Sequence, residues 1–231
     1  MKPQLKAVLF DLDGVIVDTA RYHYLAWKRL ADREGIYFDE EINERLKGVS
    51  RMASLEIILE RSGRKYTTEE RSEMAEVKNN WYLEMIGLLK PGEVLPGVVD
   101  FLEALKAGGI KSAVCSASKS AGFIVDRLRL ADYFDTVVGG SDVTRPKPDP
   151  EVFLLAAERL GVKPCECVVL EDAYAGIAGA KKGGMMAVGL GSPDILTNAD
   201  VVYGSMEALT LEDIKKLFIG GAVNEELCST I

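Results

Sequence analysis

Histidine is nearly absent from this chain, with one copy, His23, among 231 residues. A metal site built on several imidazoles is thereby excluded, and oxygen atoms become the default ligands for any metal. The four cysteines are too few and too scattered for a disulfide framework in a chain of this length. Cys165 and Cys167 form a C-x-C, but no second pair completes a zinc site, so the two read as reduced thiols at the start of a strand. Positive charge is in deficit: 28 Lys and Arg stand against 36 Asp and Glu, for a net charge of −8. A nucleic-acid partner, which calls for a basic stripe, is not expected. Long apolar runs are missing too, and none approaches the ~20 residues of a membrane helix. The short run Ala7-Val8-Leu9-Phe10 meets Asp11 at once and is not a signal-peptide core. The expectation is a cytoplasmic protein with no membrane partner.

Two kinds of segment are present instead, and they alternate. Lys6–Phe10, Lys111–Cys115, Thr136–Val138, Val168–Leu170, Met186–Val188 and Val201–Val202 read as short buried strands. Helical patterns lie between the later ones. Val98–Lys106 puts Phe101, Leu102 and Leu105 on one side. Asp149 and Pro150 read as N-cap and first residue of a helix ending at Gly161, and Thr210 with Asp213 as the cap of a final helix. Strand–helix alternation predicts an α/β fold with a doubly wound, parallel, Rossmann-like sheet. From about Ala20 to about Lys90 the rhythm breaks into helices alone. Ala20–Glu34 is amphipathic, and Thr67 with Glu70 makes a capping-box pattern. The expected division is an α/β core of 1–16 and 93–231 with an inserted all-helical cap domain, 17–92. Val15–Asp18 and Lys90–Leu95 would be its hinges.

The first strand runs into Asp11-Leu12-Asp13-Gly14. Ligands of parallel sheets bind beyond the carboxyl ends of the strands, which is where these aspartates fall. Two carboxylates at i, i+2 can divide labour, one attacking as nucleophile and the other moving a proton. A lone D-x-D is better explained as a polar turn, since the pattern is short and common. Here, however, the ends of later strands carry matching chemistry. Ser116-Ala117-Ser118-Lys119-Ser120 puts hydroxyls and a cation at a helix start, which suits a phosphate. Lys147 lies between Pro146 and Pro148 in a stiffened loop, and Glu171-Asp172 closes a further strand. Acidic oxygens at two strand ends make a hard-cation site, for which Mg²⁺ with a phosphate is the natural pairing.

Asp11-x-Asp13-Gly14, Ser116, Lys147 and Glu171-Asp172 resemble the four ordered motifs of the haloacid dehalogenase superfamily, over nearly the whole chain. The resemblance implies that Asp11 is phosphorylated and that Asp13 is the general acid and base. It implies that Ser116 and Lys147 hold the transferring phosphoryl group. Glu171, Asp172, Asp11 and the backbone carbonyl of Asp13 would bind Mg²⁺.

The cap decides between phosphatase and mutase. Thr19, His23 and Trp27, the loop Lys47-Gly48-Val49-Ser50-Arg51 with Ser54, and Lys78 resemble the β-phosphoglucomutase family, as do Ala117, Ser118 and Lys119. Ser120 departs from that family's usual asparagine, and Ala173 from its usual serine. A mutase working through a bisphosphate needs a second cationic site, and Arg51 with Ser118 and Lys119 could supply it. Trp27 would offer the sugar a flat wall, although a tryptophan on a helix stripe is also ordinary core. The resemblance implies a monomeric enzyme acting on a small sugar phosphate. A sugar-phosphate phosphatase on the same scaffold, or a non-catalytic phosphosugar-binding regulator, are the alternatives.

Overall fold

The computed structural model describes residues 3–46 and 50–219. The chain forms two compact units, Met1–Asp18 with Lys90–Ile231, and Thr19–Leu89.

The second unit is helical, with α1 (Ala20–Glu34), α2 (Glu40–Glu44), α3 (Arg51–Leu59) and α4 (Thr68–Ile86). Each helix begins or ends where local chemistry directs it. Gly35 stops α1 in the left-handed region at φ 69°, a conformation that costs glycine nothing. The Ser50 hydroxyl accepts the Ala53 N–H at 3.3 Å and opens α3. Thr67 and Glu70 exchange the two capping-box bonds that start α4, at 3.2 and 2.8 Å. The apolar faces meet in a core that includes Trp27, Leu30, Phe38, Ile42, Leu55, Ile58 and Met74.

The first unit is a parallel sheet of β1 (Ala7–Phe10), β2 (Lys111–Cys115), β3 (Thr136–Val138), β4 (Cys167–Glu171), β5 (Met186–Leu190) and β6 (Val201–Tyr203). The strand order is β3-β2-β1-β4-β5-β6. Its helices are α5 (Val98–Ala107), α6 (Ala121–Arg127), α7 (Glu151–Leu160), α8 (Tyr174–Lys182) and α9 (Leu211–Ile219). β1, β4 and β5 are buried throughout, which is why they read as unbroken apolar runs instead of alternating ones. Strand order reverses beside β1, and the crevice at that switch point is where a doubly wound sheet binds its ligand. Phe10 lies opposite both Val114 and Leu170. The next residue of each strand, Asp11, Cys115 and Glu171, therefore arrives at one level.

The capping expected of Asp149 is present: its carboxylate accepts the Glu151 N–H at 3.0 Å, and Pro150, in helical conformation, leads into α7. Two local expectations need correction. α6 starts only at Ala121, so Ser116 and Ser118 sit on the loop before it, not in its first turn. Cys165 is disulfide-bonded and Cys167 is a free buried thiol, so the C-x-C is not a pair of reduced thiols.

Candidate active site

The chain leaves β1 through a tight turn. Gly14 takes φ 82°, its N–H donates to the Val17 carbonyl at 2.9 Å, and Val17 N–H donates back to Leu12 O at 3.1 Å. This turn presents Asp11 and Asp13 at the sheet's carboxyl edge. At the end of β4, Glu171 is buried and Asp172 is exposed. One oxygen from each of Asp11, Glu171 and Asp172 falls within 4.8 Å of the others.

Lys147 reaches this cluster from a loop 136 residues away from Asp11. Its Nζ donates to Asp11 Oδ1 at 2.5 Å, to Glu171 Oε2 at 2.8 Å and to the Cys115 carbonyl at 3.0 Å. The Phe153 ring lies 4.9 Å from the same nitrogen. Burial works against the charge on Lys147, but Asp11 and Glu171 outweigh it and hold the ammonium well above its ordinary pKa. The peptide bond between Lys147 and Pro148 is cis.

Negative charge still exceeds positive here. Loss of solvent, then the charges of Asp11 and Asp172, push the Asp13 carboxyl up. Burial, then Asp11, does the same to Glu171. Carboxylates gathered at this density, with hard oxygen donors and one ammonium among them, fit a divalent cation. Asp11, Glu171 and Asp172 are the side chains that would hold it.

Two glycines make room for these acids. A methyl group on Gly14 would come within 1.9 Å of Asp172 Oδ2, and one on Gly176 within 2.0 Å of Glu171 Oε2. Gly14→Ala therefore carries two penalties, a strained positive φ costing roughly 1–2 kcal/mol and a displaced carboxylate. We expect its Mg²⁺ affinity to fall by ~10–100-fold, as when the support of a metal ligand is lost. Calorimetric titration checks this, and wild-type affinity would show that Asp172 is not a ligand.

Beyond β2, Ser116 is buried. Its hydroxyl accepts the Ser118 N–H at 3.0 Å, and the Ser118 hydroxyl accepts the Ser120 N–H at 3.1 Å, so the serines brace one another's loop. Ala117 and Lys119 are exposed, and Ser118 and Ser120 are half-buried. A cavity of about 120 Å³ opens beside Ser116 and Lys147, lined also by Ala117, Gly140 and Arg145.

The helical unit gathers the remaining candidates. Lys47, Gly48 and Val49 lie outside the described residues. Ser50 is committed to capping α3, Arg51 is the exposed first residue of that helix, and Ser54 is buried one turn on. Thr19 is buried at the N-cap position of α1. Trp27 is only 3% exposed and belongs to the unit's core, so packing claims the ring that was expected to form an open wall. Lys78 is 2% exposed, and its Nζ lies 2.9 Å from His23 Nδ1 and 4.5 Å from the Trp27 ring centre. Burial and then the Arg51 charge lower Lys78 to about 7. Burial, then Lys78 and Arg51, lower His23 to about 3.

Sequence reasoning passed over Phe153 and Tyr82. Only Tyr82 carried a usable signal, since it stands one helical turn beyond Lys78.

The haloacid dehalogenase-like hydrolase family model matches residues 5–184. The β-phosphoglucomutase of Bacillus subtilis (strain 168) is 46% identical over 210 residues, covering 90% of this chain and 93% of the relative. A phosphorylated carbohydrates phosphatase of Thermotoga maritima is 34% identical over 222 residues, covering 95% and 93%. The crystal structure of β-phosphoglucomutase from Clostridium difficile superposes with a TM-score of 0.86 at 40% identity, covering 95% of this chain and 100% of that one. The chain belongs to the haloacid dehalogenase-like hydrolase family, and β-phosphoglucomutases are among its relatives there.

Proposed function

We propose that this chain is a Mg²⁺-dependent phosphomutase that interconverts β-D-glucose 1-phosphate and β-D-glucose 6-phosphate through a 1,6-bisphosphate. The carrying observation is the meeting of Asp11, Lys147, Glu171 and Asp172 at the carboxyl ends of neighbouring strands. The 46% identity to a β-phosphoglucomutase supports the choice of reaction and sugar. Phosphosugars do not cross membranes unaided, so the proposed workplace is the cytoplasm.

Asp11 carries the phosphoryl group as an acyl phosphate. The free hydroxyl of a bound glucose monophosphate attacks that phosphorus, its proton passing to Asp13 as the bond to Asp11 breaks. The bisphosphate then reorients, and Asp11 takes its other phosphoryl group while Asp13 returns the proton to the leaving sugar oxygen. Lys147 compensates the phosphoryl oxygens, and Ser116 orients them. When bound at Asp11, Glu171 and Asp172, the divalent ion supplies further stabilisation of the charge that develops in transfer. A bisphosphate has a second phosphoryl group, for which Arg51 is the proposed cation.

The phosphatase reading draws on the phosphorylated carbohydrates phosphatase of Thermotoga maritima. One assay separates the readings. With β-glucose 1-phosphate, Mg²⁺ and a trace of phosphoryl donor, glucose 6-phosphate should accumulate with little inorganic phosphate, and a chelator should stop it. Phosphate release equal to isomerisation would install the phosphatase, and absence of any phosphoenzyme would leave only a binding protein.

A further inference from the structure

Ser116 and Lys147 come to the phosphoryl site on different loops, after β2 and after β3, so transfer needs one loop fixed against the other. The join is made by backbone. Ser116 N–H donates to the Val138 carbonyl at 2.9 Å, and Gly140 N–H donates to the Ser118 carbonyl at 3.0 Å. The loops lie so close that a methyl group on Gly140 would come within 2.1 Å of the Ala117 carbonyl oxygen. One on Gly139 would come within 3.0 Å of the Ser118 carbonyl oxygen. These neighbours are main chain, not side chains that could swing away. Gly140 also shares the wall of the cavity beside Ser116 and Lys147.

Asp142 holds this contact from the outer side. Its Oδ2 accepts the Gly139 N–H at 2.8 Å, and its own N–H donates to the Gly139 carbonyl at 3.0 Å. Its Oδ1 accepts Arg159 at 2.6 Å, and the same guanidinium donates to the Val137 carbonyl at 3.0 Å. Arg159, then the Gly139 N–H, hold the Asp142 carboxyl below the ordinary carboxylate range, so it is anionic at neutral pH. Further along, Glu151 accepts the backbone N–H groups of Thr144 and Arg145 at 3.1 and 2.8 Å. Arg159 and Glu151 both belong to α7, whose Val152, Phe153 and Ala156 share one core with Cys115 and Val138. The chain that leads from β3 to Lys147 is thus tied at two points to a helix seated on the sheet.

We infer that Asp142 is a positioning residue for phosphoryl transfer: by clasping Gly139 and Gly140 against the loop of residues 116–120, it sets the Ser116 hydroxyl in register with Lys147. This rests on the reading that Ser116 and Lys147 hold the transferring phosphoryl group. Misplacing such a group by ~1 Å can cost ~10²-fold in rate. The loss falls on kcat and leaves KM, because orientation of the moving phosphoryl group is felt in the transition state.

The test uses the full chain with Mg²⁺, following phosphoenzyme formation from acetyl phosphate and, separately, turnover of β-glucose 1-phosphate. Asp142→Ala should slow phosphoenzyme formation and lower kcat by ~10-fold or more, with KM within about twofold of wild type. Asp142→Asn keeps a carbonyl oxygen for the Gly139 N–H and should recover most of that loss, although it gives up the charge facing Arg159. Gly140→Ala, which forces the two loops apart, should cost ~10²-fold. Mg²⁺ affinity should stay at the wild-type value in all three, because Asp11, Glu171 and Asp172 stand on other loops. That constancy separates a local clasp from a general loss of the fold.

A double-mutant cycle tests the route of the effect. Added to Ser116→Ala, the change Asp142→Ala should slow transfer little further, since the group it positions is already gone. Additive losses would mean a structural role only, and would overturn the inference. Wild-type phosphoenzyme formation in Asp142→Ala, or an Asn variant as slow as Ala, would also overturn it, and this pair decides even if Gly140→Ala does not fold. If the wild-type protein forms a phosphoenzyme without isomerising, and Ala and Asn still differ as stated, the mutase reading fails and the inference stands. If the wild-type protein forms no phosphoenzyme, both fail.

Discussion

Asp11→Asn should abolish isomerisation and leave no phosphoenzyme. The amide is nearly isosteric with the carboxylate, so the turn at Gly14 and the β1 register are expected to survive. What it lacks is the anionic oxygen that attacks phosphorus, and an amide cannot hold a phosphoryl group as an acyl phosphate. Glu171 is not a ready substitute. Glu171 is tied to the same lysine, at 2.8 Å, and its carboxyl is driven towards the protonated form by burial and by Asp11. The measurement is mass spectrometry of the protein after exposure to acetyl phosphate and Mg²⁺, together with turnover of β-glucose 1-phosphate. A phosphoryl group found on another residue, or turnover above background, would sink the assignment of Asp11 as nucleophile.

Lys147→Met should injure both stability and catalysis. The ammonium is 11% exposed and compensates Asp11 and Glu171, which are 10% and 2% exposed at their side chains. Removing one partner from a buried ionic network, instead of the whole network, typically costs ~3–5 kcal/mol, because charges are left uncompensated in a poor solvent. Urea denaturation of the metal-free variant should show a loss of that order. Mg²⁺ should restore part of it, since a cation bound by the same carboxylates replaces the missing charge. Phosphoryl transfer, measured with Mg²⁺ present, should fall by ~10²–10³-fold, the usual loss when a preorganised charge donor is removed from a transferring group. A variant as stable as wild type would mean that the acids do not need the lysine. Undiminished transfer would remove Lys147 from the phosphoryl site.

Much of the core's architecture is written in local sequence. The strands announce themselves as short apolar runs because both faces of the sheet are covered. α1 was legible end to end: its apolar stripe repeats every three to four residues and Gly35 supplies the left-handed stop. Thr67 and Glu70 define the start of α4 through bonds that reach only three residues. Asp11, Ser116 and Glu171 were recognisable for a topological reason. A parallel sheet brings every strand's carboxyl end to one edge, so polar residues just after apolar runs are placed together without knowledge of packing.

What local sequence could not decide is where long side chains end and which small residues must stay small. Lys147 reads as a surface lysine in a proline loop, and only the fold carries its Nζ to Asp11, Glu171 and the Cys115 carbonyl. Gly176 reads as a tolerated helix glycine, and only the approach of Glu171 shows that no methyl group fits there. Trp27 reads equally as core or as ligand wall, and the packing of the helical unit buries it. The Lys78–His23–Tyr82 cluster joins His23 to Lys78, 55 positions away, and to Tyr82 one turn beyond, and depends on how two helix faces interlock. Residues within a turn of one another, or spaced along one strand, have their relation set by backbone geometry, and pattern reveals it. Contacts between distant elements depend on packing, burial and electrostatics, and these exist only once the chain has folded.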